Sequence, residues 1–231
     1  MSPAAQPCAA VLLLHGAGGG GWEWNAWREA FEAVGIAAAA PDLQPATRGV
    51  AATTLADYAS QALARLRSLQ RPRAVAGASL GGLLALSVAD EADAVVLVNP
   101  LPPEPWHAGL PPRDWPDLVP WRHEARLAGT RRALPDADDA SALYAFRHWR
   151  DESGRALREA CSGVDVARPD VRMLCIAAQH DGDVPPALTT AFARAWEAEL
   201  WRLPGCSHAG ALLGRGAPAL AARVSRWLSP R

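Results

Sequence analysis

A serine, two aspartates and a histidine in this chain stand at spacings that chemistry can use. Ser79 lies in Gly77-Ala78-Ser79-Leu80-Gly81, which fits G-x-S-x-G. An apolar run at 73–76 precedes it and reads as a buried strand; a Leu-rich run at 80–89 follows and reads as a helix. A serine between the two sits on a tight turn, with its hydroxyl pushed out above the sheet edge. The flanking glycines are needed because side chains there would clash. The turn also sets the Leu80 N–H at a helix N-terminus, where it can face a developing oxyanion. A hydroxyl is a poor nucleophile at neutral pH and needs a general base, which a carboxylate must orient. The base is expected at His208, in Cys206-Ser207-His208-Ala209-Gly210. The acid is expected in Gln179-His180-Asp181-Gly182-Asp183. Asp181 stands closer to the end of the preceding strand and is favoured over Asp183, which reads as a turn or capping residue. Each piece alone has a bland reading: a Gly-rich turn, a solvated Asp-Gly-Asp, a surface histidine. Placed in this order after successive strands, they form one set suited to acyl transfer.

The elements that must position these groups follow from the apolar pattern. Residues 9–14 form a continuous apolar run, the mark of a strand buried on both faces. A helix is expected over 24–34, a strand over 36–40, and a helix over 54–69 capped by Thr53 or Thr54. A strand at 94–98 is closed by Asn99-Pro100. Strands over 171–177 and 199–203 alternate with helices over 186–198 and 217–228. This alternation gives an α/β fold with a mainly parallel sheet. From 101 to 168 the texture changes. Seven prolines fall between 102 and 120, four of the ten Trp lie here, and ten Arg nearly balance eleven Asp and Glu. One helix is expected over 141–161. The segment reads as an insertion, leaving 1–100 and 169–231 as the core.

The loop after the first strand, His15-Gly16-Ala17-Gly18-Gly19-Gly20-Gly21, satisfies G-x-G-x-x-G, with Asp42 about twenty residues on. That pattern also marks dinucleotide binding. Against it, His15 intrudes before the first glycine, the helix starts late, and bulky Trp22 follows the third glycine. The other reading is a flexible loop whose Ala17 N–H is a second oxyanion donor, with His15 as a structural anchor.

A length of 231 residues suits one domain with an insertion. A net charge of −1 argues against a nucleic-acid footprint. Every one of the 23 basic residues is Arg, which removes lysine chemistry. The four Cys show no metal-ligand spacing and read as free thiols in a reducing compartment. No signal-peptide pattern and no membrane-length apolar run is evident, so the cytoplasm is the expected location.

The pieces V-L-L-L-H-G-A-G-G, A-P-D-L, V-A-G-A-S-L-G-G, Q-H-D-G-D-V-P and C-S-H together resemble the α/β-hydrolase superfamily over 9–100 and 170–228. The resemblance implies a three-layer fold with about six mainly parallel strands and a helical lid over 101–168. It implies Ser79 as nucleophile, His208 as base, Asp181 as orienting acid, and Ala17 and Leu80 as oxyanion donors. No cofactor and no metal is implied. The expected activity is cleavage of a carboxylic ester or thioester of a small substrate. Trp22, Trp106 and Trp121 are candidates to line an apolar or aromatic acyl pocket. The alternative is non-hydrolytic, lyase-type chemistry on the same groups. Expected partners are a small-molecule substrate and, at most, a second copy in a homodimer, with neither nucleic acid nor membrane insertion.

Overall fold

The computed structural model describes residues 7–229. The first six residues, on which the expected lack of a leader partly rests, lie outside them. β1 (Ala10–Leu14) is buried along its whole length. Val11 and Leu13 enter one apolar layer, Leu12 and Leu14 the other, as the two-residue period of a strand requires. After a 3-10 turn at Gly21–Trp24 comes α1 (Asn25–Glu32), then β2 (Ala37–Ala39). α2 (Leu55–Arg67) is capped by Thr54, not Thr53. The Thr54 side chain accepts the Asp57 N–H while the Asp57 carboxylate accepts the Thr54 N–H. β3 (Arg73–Ala78), α3 (Leu80–Ser87) and β4 (Ala94–Val98) complete the centre.

The 101–168 segment then holds β5 (Leu118–Val119), α4 (Leu127–Ala133), α5 (Asp139–His148), β6 (Glu152–Ser153) and α6 (Gly154–Cys161). The single helix expected over 141–161 is broken. Tertiary bonds override the local helical pattern between Trp149 and Ser153. The Arg150 N–H donates to the Gly18 carbonyl at 2.7 Å, and Glu152 and Ser153 pair antiparallel with β5.

β7 (Arg172–His180), α7 (Pro186–Ala195), β8 (Glu199–Ser207), α8 (Gly210–Leu213) and α9 (Ala217–Leu228) close the chain. Both late strands run further than expected. β8 carries Pro204 and Gly205 because it is an edge strand, where proline costs no ladder bond. A register shift at Ala178/His180 then lets pairing resume at Ser207.

The sheet order is β2-β1-β3-β4-β7-β8, with every neighbouring pair parallel. α2, α3 and α7 cover one face through Tyr58, Leu66, Leu83 and Phe192; α1 and α9 cover the other through Trp27, Phe31, Val224 and Leu228. Each fully buried Leu, Val or Phe contributes about 1.5–3 kcal/mol, so the sheet is a stiff platform. Its carboxyl ends carry the loops that hold Ser79, Asp181 and His208. Among the described residues no helix is long and apolar enough to cross a membrane.

Candidate active site

The turn between β3 and α3 forces Ser79 into φ 53°, ψ −118°. A non-glycine residue held in such a region stores about 1–3 kcal/mol. The turn is tight enough that its glycines are obligatory. A Cβ on Gly77 would come within 1.9 Å of the Gly81 carbonyl oxygen, and one on Gly81 within 2.2 Å of the Leu14 carbonyl oxygen. Bonds from the Ser79 N–H to the Val98 carbonyl and from the Leu101 N–H to the Ser79 carbonyl, both 3.0 Å, hold the turn in place.

His208 follows the last residue of β8 and Asp181 follows the last residue of β7. Asp181 Oδ2 bonds His208 Nδ1 at 2.7 Å. Asp181 Oδ1 accepts the N–H groups of Asp183 and Val184, each at 2.8 Å. The carboxylate is thus fixed on both sides. Asp183 makes no bond to His208 and pairs with Arg113 near the surface. Burial alone would lower the His208 imidazole below its ordinary value. The hydrogen bond and charge of Asp181 outweigh that, with Asp183 and, where it is ionised, Glu23 adding to them, and the net shift is upward. With Nδ1 engaged by Asp181, Nε2 is the nitrogen left for proton transfer. Asp181, Asp183 and His208 are also the one group among the described residues with metal-like spacing, their ligand atoms within 4.8 Å. Both Asp181 oxygens are already engaged.

The glycine loop crosses close to Ser79, since a Cβ on Gly16 would stand 3.5 Å from the Ser79 Cβ. Among the described residues, neither the Ala17 nor the Leu80 N–H donates to another protein group. His15 is buried and anchors the loop. Its Nε2 accepts the Leu43 N–H at 2.9 Å and its Nδ1 donates to the Gly16 carbonyl at 2.7 Å. A backbone N–H can only donate and a carbonyl only accept, so the ring is the neutral Nδ1–H tautomer. Burial lowers its pKa and favours the same form. The dinucleotide pattern is spent locally: Asp42 Oδ1 accepts the Gly21 N–H at 2.8 Å, and the first α-helix begins only at Asn25.

Four side chains that the sequence reading missed brace these loops. Asn99 Nδ2 donates to the His208 carbonyl and its Oδ1 accepts the Ala178 N–H, both at 2.7 Å. Its place at a strand's carboxyl end was the one available signal. Asp136 accepts from the Ser207 N–H and hydroxyl at 2.9 and 2.6 Å. Glu152 accepts the Gly18 N–H at 2.9 Å and the Tyr58 hydroxyl at 2.7 Å. Glu23 accepts the Gly16 N–H at 3.2 Å.

The tryptophans divide. Trp121 packs onto Gly18 and edge-on to Trp115. Trp22 clusters with Tyr144, His148 and Trp149. Trp106 instead packs on Phe192 and Trp196, against α7. Burial pushes the Cys206 thiol up to about 12, with Asp136 adding to the effect, so it is no thiolate rival to Ser79. A cavity of about 450 Å³ is lined by His15 and Gly19 of the loop and by Tyr58, Arg122, Arg150 and Glu152. Neither Ser79 nor His208 lines it.

A family model described as the alpha/beta hydrolase family matches residues 11–223. A comparison with curated proteins finds no match. Among solved structures, the chain is similar to a methylesterase from Arabidopsis, at 15% identity and TM-score 0.70, covering 93% of this chain and 97% of that one. A pyrethroid hydrolase from Sphingobium faniae JZ-2 is similar at 17% identity and TM-score 0.71, covering 95% and 97%. A variant of tomato methylketone synthase I complexed with beta-ketoheptanoate is similar at 16% identity and TM-score 0.71, covering 97% and 98%. At these identities the likeness is one of fold.

Proposed function

The chain belongs to the alpha/beta hydrolase family, and on that premise we propose that it is a serine hydrolase acting on a carboxylic ester or thioester of a small substrate. The observation that carries this reading is the His208–Asp181 bond at 2.7 Å, set at the same sheet edge as the strained Ser79 turn. Ser79 Oγ attacks the carbonyl carbon while His208 Nε2 takes its proton. Asp181 holds the imidazole in the tautomer with Nδ1–H and stabilises the imidazolium. The Ala17 and Leu80 N–H groups receive the oxyanion. As the tetrahedral intermediate collapses, His208 protonates the departing alkoxide or thiolate, leaving an acyl group on Ser79. Water, deprotonated by His208, then releases the acid.

In this reading the 101–168 segment is a lid. Its Trp121, resting on Gly18, and the cluster around Trp22 favour an apolar or aromatic acyl group. Trp106, packed on α7, serves the fold.

A fluorophosphonate probe with peptide mass spectrometry tests the mechanism. An adduct on Ser79, absent in Ser79→Ala and largely absent in His208→Ala, is the expected result. Turnover of a carbonyl compound without any Ser79 adduct would instead support lyase-type chemistry on the same groups.

A further inference from the structure

Glu23 is a buried acid that the acyl-transfer mechanism does not use. It lies in the 3-10 turn after the glycine loop and is 6% exposed. Its Oε2 accepts the Gly16 N–H. Its carboxyl also lies against Gly19, where a Cβ would come within 2.3–2.5 Å of the carboxyl carbon and both oxygens. The carboxyl therefore fills the inside of the loop that carries Ala17. No cation is paired with it among the described residues, and the one charged group acting on it is His208. A buried carboxyl without a cation is costly, and an amide would accept the same N–H at less cost. The site therefore points to a use for an ionisable group.

We propose that Glu23 is a positioning residue that holds the Gly16 amide, and with it the loop carrying the Ala17 N–H, while placing a second acid within electrostatic reach of His208. The proposal rests on the serine-hydrolase reading for its effect on rate, and for the placement of the acid on its bond to Gly16, which itself stands against the Ser79 turn. Burial raises the carboxyl to about 8, against the opposing effects of the Gly16 N–H and His208. At neutral pH Glu23 is therefore mainly protonated, and His208 feels chiefly Asp181, with Asp183 behind it. Asp42, which reaches the same turn from the loop after β2, is occupied by the Gly21 N–H, and Arg150 and Glu152 meet the loop at Gly18. As pH rises through the Glu23 value, a negative charge forms beneath the oxyanion loop. It favours imidazolium over imidazole and opposes an oxyanion at Ala17.

Two measurements on the full chain test this. The first is an NMR titration of the His208 ring in 15N-histidine-labelled protein, wild type against Glu23→Gln. A second inflection near the Glu23 value of about 8, absent in Glu23→Gln, is expected. The second is the rate of fluorophosphonate labelling at Ser79 against pH. The wild-type rate should fall about threefold or more above that value, and the fall should disappear in Glu23→Gln. Glu23→Leu, which cannot accept the Gly16 N–H, should label about tenfold more slowly at neutral pH, and Glu23→Gln should recover part of that loss. Identical His208 titrations and identical pH profiles in wild type and Glu23→Gln would overturn the proposal, even if Glu23→Leu fails to fold. Wild-type protein that takes no label would sink the serine-hydrolase reading, and the NMR titration would still decide the role of Glu23.

Discussion

Along β1, β3 and β4 nearly every side chain is buried against hydrocarbon from a helix on one face or the other. Between residues 101 and 168 the apolar interior is small, with Leu134, Ala137 and Ala145 as one of its few buried clusters. Besides the contact of Trp121 on Gly18, directional polar bonds join that segment to the site loops. Glu152 holds Gly18, Asp136 holds Ser207, and the Arg150 backbone N–H meets the Gly18 carbonyl. Apolar packing is non-directional and makes the sheet stiff. Hydrogen bonds are directional and set where a loop rests. The sheet thus supplies a platform, and the segment sets the posture of the loops on it.

Substitutions can break this division, and they rank by effect on turnover per folded molecule. Ser79→Ala should cost about 10⁴-fold or more in turnover with the circular dichroism spectrum unchanged; retained turnover would remove the platform's nucleophile from the account. Asp181→Asn should cost about 10³–10⁴-fold, because the imidazole loses its orienting partner. The same variant carries a pH signature. As the proposed base, His208 must be neutral to accept the serine proton, and its value lies above the ordinary 6.5. The acid limb of kcat/KM should therefore lie above 6.5 in the wild type and move down in Asp181→Asn. The sign for stability follows. The folded state binds this proton more tightly than the unfolded state, so the contribution is full below 6.5 and is lost as pH climbs through the folded value.

Glu152→Ala tests the segment. It leaves the Gly18 N–H and the Tyr58 hydroxyl without their acceptor, at about 1–3 kcal/mol each. Turnover should fall about tenfold as the loop proposed to hold the oxyanion loosens. Denaturant unfolding together with steady-state kinetics separates the two effects. Lost stability with unchanged kcat would make the segment a cover and not a brace. Phe31→Ala should show the reverse pattern: about 3–5 kcal/mol of stability lost from the α1 layer, with turnover per folded molecule changed less than about twofold.

The same division explains what was legible in the sequence. Strand and helix identities in the core follow from local apolar runs, so 94–98 and 217–228 match β4 and α9 at both ends. Ser79 is legible because the turn imposes its glycines locally. Asp181 could be preferred to Asp183 from its nearness to the end of β7, and the bond to His208 goes to Asp181. Asn99, Asp136 and Glu152 were not legible. Their partners lie between 71 and 134 residues away in the chain, and nothing in their own neighbourhood marks them. Glu23 is near its partner in sequence, yet it reads as an ordinary polar residue before a helix. Only its burial sets it apart. The break between α5 and α6 was missed for the same reason as the distant ties, because a bond to Gly18 overrules the helical pattern there.

β3 sits mid-sheet while β7 and β8, made last, complete one flank. Ser79 is therefore synthesised well before the strands that carry Asp181 and His208 to the site. A chain still being synthesised, or one refolding with β8 undocked, holds a serine and no histidine. Pairing of strands so distant in sequence is a slow folding step. In the proposed serine-hydrolase reading, recovery of activity during refolding therefore requires that β8 has docked and brought His208 to the site.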